Sequence, residues 1–335
     1  MKNFLLDLVS FVKFKKIDKL KVGFFCENKY IFEYIKPYVN KKANKKKIIL
    51  ISFEKIEFEA KNVIQFTFLT NFFREIVFLS LCLKYLYTST PGLNQNLFKR
   101  SRLGNCKYIY LQHSLCSMTM IYPKNSFNSF DAIQVVTNYQ FDEMHEIRRI
   151  NRLKLKIFKS NYLFLKEKIF VNDKKIKKNV LIAPSWNTNF YKNNFHKEII
   201  SLLNKNNISF DLRPHPMSIK KREITLDEID SLKININNEP DLNFFQYQIL
   251  ISDWSGLLIE YYVFDRNILL IDSKKKILNE EYTLLKNQPA EIRLRKKISK
   301  SFSFNNLEDI VLEIKKFIKK KDYQSNQIDK FYFDL

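Results

Sequence analysis

The chain has 335 residues, enough for two domains of ordinary size, and its 45% hydrophobic and 15% aromatic content excludes wholesale disorder. Lys plus Arg number 58 against 35 Asp plus Glu, a net charge of +23 that favours nucleic acid, anionic lipid or phosphorylated substrates as partners. The competing reading is a solvated basic surface on a chain rich in Lys, Asn, Ile and Phe, with only four Gly.

The first stretch, Met1 to Lys16, is apolar and basic. It lacks a small-residue cleavage site and Asp7 interrupts it, which argues against a signal peptide. Lys21 to Cys26 predicts a strand and Asn28 to Val39 a helix, with further strands at Lys47 to Ser52 and Asn62 to Phe66. A helix is predicted from about Asn71 to Lys84. Its uncharged run Ile76 to Leu83 is too short to span a bilayer and reads as buried, with docking on a membrane surface the minority view. Tyr85 to Ser89, Lys107 to Gln112 and Ala132 to Val136 predict strands, and Asn138 to Ile150 a helix. This alternation argues for a parallel sheet covered by helices.

Residues 166–178 read as a basic linker, after which the pattern restarts. Strands are predicted at Asn179 to Ala183, Ser209 to Arg213, Leu232 to Ile236, Gln248 to Ser252 and Ile268 to Ile271. Helices are predicted at Phe195 to Asn204, Ser255 to Phe264 and Asn305 to Lys320, before a polar tail over 321–335. The expected architecture is α/β: two Rossmann-like domains with parallel sheets facing a cleft, an N-terminal one over 1–165 and a C-terminal one over 179–320.

Cys26, Cys82, Cys106 and Cys116 lie mostly in apolar runs without CxxC spacing, so neither zinc nor a disulfide framework is expected and a reduced, cytoplasmic setting fits. Glycine occurs only at Gly23, Gly92, Gly104 and Gly256, which excludes a Walker A loop and a GxGxxG fingerprint. A bound phosphate would have to be held by side chains and helix starts.

Four pieces at strand exits can do that. In Ser252-Asp253-Trp254-Ser255-Gly256, Ser and Asp are favoured helix caps, first-turn N–H groups attract anions, and Gly256 lets a ligand approach the backbone. Glu260, a turn further on, can accept hydrogen bonds from a ribose. In Leu212-Arg213-Pro214-His215-Pro216 two prolines fix the backbone around His215, while Arg213 offers a fork of donors to phosphate oxygens. His215 can donate to an anion or carry a proton. Ala183-Pro184-Ser185-Trp186-Asn187-Thr188-Asn189 is rich in hydroxyl and amide donors, Ser185 foremost. In the other half, His113 of Tyr110-Leu111-Gln112-His113-Ser114 follows a strand and could act as a general base. Each also has an ordinary structural reading, as a cap, a rigid loop or a packed side chain. His145 and His196 fall in helical patterns and read as surface or packing residues.

In this order the pieces resemble the CDP-glycerol glycerophosphotransferase family, which includes teichoic-acid polymerases. The resemblance rests on Tyr108 to Ser114, Leu181 to Trp186, Leu212 to Met217, and Ser252 to Gly256 with Glu260, and is supported by Ile268 to Asn279. It implies a GT-B architecture and transfer of glycerol phosphate from CDP-glycerol to a hydroxyl acceptor, with release of CMP. It also implies catalytic roles for His113, as the base, and for His215. Arg213 would join His215 at the pyrophosphate. Ser185, Ser252, Asp253, Ser255 and Gly256 would bind the donor, and Glu260 its ribose. No metal and no cofactor is expected. The implied partners are a CDP-activated donor and a membrane-linked glycan acceptor, with the basic surface suited to anionic lipid at the inner face of the cell membrane. Ser114 stands where the polymerases have Gly, and Asn187-Thr188-Asn189 departs from the family pattern. Two alternatives stay open: a glycosyltransferase using a nucleotide sugar on the same fold, and a non-enzymatic basic protein binding membrane or nucleic acid. No recognised nucleic-acid-binding signature supports the latter, and nucleic acid is not an expected partner.

Overall fold

The computed structural model describes residues 2–19, 22–169, 176–232, 236–237, 242–264, 266–298 and 300–319. The chain divides into two compact units, Met1–His113 with Pro123–Phe170, and Ser114–Tyr122 with Val171–Leu335. The short segment Ser114–Tyr122 therefore leaves the first unit and belongs to the second.

The first unit opens with helix α1 (Lys2–Ile17), followed by β1 (Val22–Cys26), α2 (Lys29–Ala43), β2 (Ile48–Ser52), β3 (Val63–Thr67), α3 (Asn71–Leu79), β4 (Tyr85–Thr88), β5 (Lys107–Leu111), β6 (Ala132–Val135), α4 (Asn138–Ile150), β7 (Lys156–Lys159) and α5 (Leu163–Ile169). Its strands pair in parallel in the order β3-β2-β1-β4-β5-β6-β7. β1 and β2 are buried along their whole length, which is why they read as unbroken apolar runs. The strand order reverses between β1 and β4, and an open α/β sheet binds its ligands beyond the carboxyl ends near such a reversal.

The second unit contains β8 (Lys178–Ile182), α6 (Phe195–Lys205), β9 (Phe210–Leu212), α7 (Pro216–Lys220), α8 (Leu226–Ser231), β10 (Tyr247–Ser252), α9 (Leu257–Val263), β11 (Asn267–Ile271), α10 (Ala290–Ile298), β12 (Ser301–Phe302) and α11 (Leu307–Lys319). The sheet order is β12-β11-β10-β8-β9, all parallel. Ile236 adds an isolated parallel bridge beside Leu212. With that bridge counted as the third strand of the unit, the order is 6-5-4-1-2-3, the doubly wound nucleotide-binding arrangement. The reversal falls between β8 and β10. A core of Ile182, Phe195, Ile199, Leu203, Ile249, Ile251, Ile310 and Ile314 packs α6 and α11 on one face.

The helix expected to Lys84 stops at Leu79, with the backbone N–H of its cap Ser80 donating back to the Ile76 carbonyl. Leu81 and Leu83 are buried without being helical, so an apolar run outlasts its helix. α5 reaches into the stretch expected as linker, whose residues 170–175 lie outside the described residues, as does the tail over 321–335. Of the strand expected at Leu232 to Ile236, Leu232 caps α8 and Ile236 makes the bridge, while residues 233–235 lie outside the described residues.

Candidate active site

The second unit gathers its strand exits around Asp253, a fully buried carboxylate just past β10. Oδ1 accepts from the backbone N–H of Ser185 at 2.7 Å and of Trp254 at 2.6 Å, and Oδ2 accepts from the Ser273 hydroxyl at 2.9 Å. One side chain thus ties the exits of β8, β10 and β11. A buried carboxylate is tolerable only when donors satisfy it, and here backbone and hydroxyl donors do so. Ser252 is also fully buried and donates its hydroxyl to the Ala183 carbonyl at 2.7 Å. Arg295, on α10, donates to the Asp253 carbonyl at 3.0 Å and to Asp272 at 2.9 Å, and lies over the Trp254 ring at 4.5 Å. The Lys274 N–H closes the ring of loops on Asn189 Oδ1 at 2.6 Å. The side chains of Ser252 and Asp253 are thus directed into the protein, where they set the shape of the exits.

β9 delivers the next group. Arg213 N–H bonds the Ile182 carbonyl at 2.8 Å, and its guanidinium donates to the Asn237 carbonyl at 3.0 Å, so its head is aimed rather than loose. His215 is the N-cap of α7, and its Nδ1 accepts from Met217 N–H at 3.1 Å. An Nδ1 that accepts leaves the proton of the neutral ring on Nε2, the tautomer that donates to an anion. The Trp186 ring, from the β8 exit, lies 6.2 Å from the His215 ring. Ser185, Trp186, Arg213, His215, Ser252 and Asp253 therefore belong to one cluster of strand exits. Among the described residues the Ser185 hydroxyl is buried without a hydrogen-bond partner.

Gly256, not Ser255, is the N-cap of α9; the Ser255 hydroxyl accepts from Leu257 N–H at 3.3 Å. The expectation that Gly256 makes room for a ligand meets a protein neighbour instead: a Cβ at this position would lie 2.6 Å from Cys116 Sγ. Cys116 sits in the segment Ser114–Tyr122, which is fixed in the second unit where Ser117 N–H donates to Glu291 Oε1 at 2.9 Å and Leu278 N–H to the Met120 carbonyl at 2.8 Å. Burial, with the Glu291 carboxylate nearby, pushes the Cys116 thiol well up, so it is a packing group. Glu260 is buried on α9 on the side near Cys116.

His113 is the last residue of the first unit before the crossing segment, just past β5. Its Nδ1 lies 3.1 Å from the Tyr110 hydroxyl, which donates its own proton to Gln112 Oε1 at 3.2 Å. With that proton committed to Gln112, Tyr110 accepts from Nδ1–H, and Nε2 is left with its lone pair, the tautomer of a general base. Tyr162 donates to the His113 carbonyl at 2.5 Å, and the Tyr34 ring stands 5.4 Å from the imidazole. Although the ring keeps an exposed edge, burial among these tyrosines pushes its pKa down to about 4, so it is neutral at physiological pH. His196 instead pairs with Glu228 at 3.1 Å and His145 with Arg148 at 3.2 Å.

Sequence reasoning missed Tyr110 and Gln112 as the groups that set the His113 tautomer, because their roles depend on side chains converging from neighbouring backbone positions. It also missed Cys116, Arg295 and Lys276, which reach the second unit's exits from distant segments. Lys276 stands in a run of three lysines that offers no pattern to single it out. Among the described residues, no group of three or more His, Cys, Asp or Glu could hold a metal ion.

No protein-family model matches the chain, and no curated protein matches it in sequence. Solved structures do. A histidine variant of the wall teichoic acid polymerase TagF is similar over 99% of this chain and 91% of its own, at 12% identity and a TM-score of 0.56. TagF itself matches over 98% and 87%, at 15% identity and a TM-score of 0.55. A TagF variant soaked with CDPG matches over 99% and 92%, at 14% identity and a TM-score of 0.55. At such identities the likeness is one of fold: the chain has the GT-B type of architecture, built from two Rossmann-like α/β units with parallel sheets.

Proposed function

We propose that the chain is a transferase that moves glycerol phosphate, or a related polyol phosphate, from a CDP-activated donor to a hydroxyl acceptor in the synthesis of a cell-surface polymer. The observation that carries the reading is the cluster at the switch point of the second sheet. There Asp253 fixes the exits of β8, β10 and β11, and Arg213 and His215 enter from β9 with their donors held in place. The likeness to TagF, including a variant soaked with CDPG, supports a CDP-linked donor.

The reaction joins the acceptor oxygen to the phosphorus that carries glycerol and breaks the bond from that phosphorus to the CMP phosphate oxygen. The acceptor's proton passes to the base. His113 Nε2 is the proposed base, kept neutral by burial and in the right tautomer by Tyr110 and Gln112. Arg213 and His215 are proposed to hold the diphosphate and offset charge on the departing CMP, the kind of fixed electrostatic help that phosphoryl transfer needs most. Ser185 and Ser255, with the start of α9, are proposed donor contacts, and Glu260 the ribose contact. The side chains of Ser252 and Asp253 act by positioning these loops. A mixture of protein, CDP-glycerol and a glycerol-phosphate-primed acceptor should yield CMP, and His113→Ala and His215→Ala should each abolish it while leaving the thermal unfolding curve in place. Turnover unchanged in either variant would remove that residue from the mechanism.

An anionic membrane surface is the proposed setting. On α1, Phe4, Leu5, Leu6, Leu8, Val9 and Val12 are 42–56% exposed, while Asp7 and Phe14 face the protein. Lys2, Lys13, Lys16 and Lys19 are exposed beside this apolar face. Among the described residues no helix is long and apolar enough to cross a membrane, but a helix with an exposed apolar face flanked by lysines can lie in the headgroup layer. Sedimentation with vesicles containing phosphatidylglycerol should retain the protein, and Leu5→Asp with Val9→Asp should release it. Equal binding to neutral vesicles would contradict the electrostatic part.

A further inference from the structure

Lys276 follows β11 in the loop that begins at Asp272. Its residue is 93% buried, from a relative exposure of 7%. Among the described residues its ammonium has no hydrogen-bond acceptor and no carboxylate at ion-pair distance, and it lies over the Trp186 ring, 4.9 Å from the centroid. A second cation, Lys221 at the end of α7, lies 4.5 Å from the same centroid. His215 stands beside that indole, 6.2 Å from it between ring centroids. Two ammonium groups and an imidazole therefore converge on one ring at the strand exits of the second unit.

This arrangement is costly without an anion. Burial disfavours the charged form of Lys276 and lowers its pKa, while the nearby Asp253, Glu291 and Glu223 oppose that shift from a distance. None of the three is its hydrogen-bond partner: Asp253 takes Ser185, Trp254 and Ser273, Glu291 takes Ser117 N–H, and Glu223 takes Asn187 N–H at 2.8 Å. The Lys276 amine is thus buried without a bound counter-ion among the described residues, and an anion placed beside it would favour its charged form. An incoming anion would offset the burial cost that the lysine otherwise bears alone.

We infer that Lys276 is a phosphate-binding residue, and that with Lys221, the Trp186 face and the Nε2–H of His215 it forms an anion subsite for a diphosphate group. Within the function proposed above, that group is the donor's diphosphate, but the subsite is defined by charge and does not depend on which nucleoside the donor carries.

The test uses the full chain and inorganic pyrophosphate. Pyrophosphate should raise the melting temperature of the wild type. Lys276→Gln should weaken pyrophosphate binding by about ten- to a hundredfold, the loss expected for one charge-assisted hydrogen bond, and Lys276→Arg should recover most of it. A merely structural lysine predicts the opposite pattern: a lower melting temperature in Lys276→Gln with an undiminished pyrophosphate shift, and that result overturns the inference. Should Lys276→Gln not fold, acylation of the wild type read by mass spectrometry decides, since pyrophosphate must slow modification of Lys276, and an unchanged rate refutes the assignment. Pyrophosphate binding that depends on Lys276 in a protein that ignores CDP-glycerol leaves the subsite standing and removes the proposed donor. Turnover of CDP-glycerol untouched by Lys276→Gln does the reverse.

Discussion

Gly256 offers a perturbation whose cost can be worked from one contact. Its φ of −61° suits any residue, so alanine brings no backbone strain. The added Cβ would sit 2.6 Å from Cys116 Sγ, about 1 Å inside an ordinary contact. Overpacking of this kind costs about 1–3 kcal/mol, and exchanging glycine for alanine at a helix N-cap adds about 0.5–1 kcal/mol. Cys116→Ala removes the obstructing sulfur at a cost of about 1 kcal/mol for the lost buried group. Gly256→Ala should therefore lower the melting temperature by roughly 3–16 °C, at about 2–4 °C per kcal/mol for a unit of this size. The double variant should be more stable than the two single effects added together, with a coupling of about 1–2 kcal/mol. Thermal unfolding of the four proteins, with urea unfolding as a check, measures the cycle. Strict additivity would refute the claim that the crossing segment packs on the start of α9 and that glycine is there to admit a protein side chain.

Asp253→Ala leaves two buried backbone N–H groups and a hydroxyl without their acceptor, and should cost about 3 kcal/mol or more in stability, read by urea unfolding, together with nucleotide binding read by calorimetry. Asp7 accepts from Leu69 N–H at 3.0 Å, from Thr70 N–H at 2.7 Å and from the Thr70 hydroxyl at 2.6 Å, so Asp7→Ala should free α1 and speed amide exchange at Leu69 and Thr70. His113 has a folded pKa of about 4, below the unfolded value near 6.5, so the unfolded chain binds more protons between these pH values. Its contribution to stability is present above pH 6.5 and is lost as pH falls toward 4, and His113→Phe should flatten that part of the stability profile. For the same reason the acid limb of turnover that belongs to His113 should lie near pH 4, and Tyr110→Phe should lower kcat more than it raises KM, because it disturbs the tautomer and not the donor site.

The elements that sequence periodicity places well are those buried on both faces. β1, β2 and β10 are buried along their whole length and mostly apolar, a pattern that an interior parallel strand needs. β7, Lys156-Ile157-Phe158-Lys159, was not legible because an edge strand carries charge at both ends. α10 escaped notice because Arg293, Arg295, Lys296 and Lys297 crowd its sequence, while Ala290 and Leu294 alone mark its buried face with Glu291. At the site, the placement of Arg213 and His215 just past β9 was legible from the two prolines around His215, and that of His113 from the end of the β5 apolar run. The protein contacts of Ser252, Asp253 and Gly256 were not, because a serine or a carboxylate at a strand exit has the same spelling whether or not it meets a neighbouring loop. Only the donors around Asp253 and the sulfur against Gly256 distinguish the two cases.

The donor is the centre of the account, and a calorimetric comparison of CDP-glycerol, CDP-ribitol, CMP-sugars and UDP-sugars on the full chain tests it most directly. The account expects a CDP-alcohol to bind tightest and to give CMP once a hydroxyl acceptor is added. Preference for a UDP-sugar, with release of UDP, would contradict it.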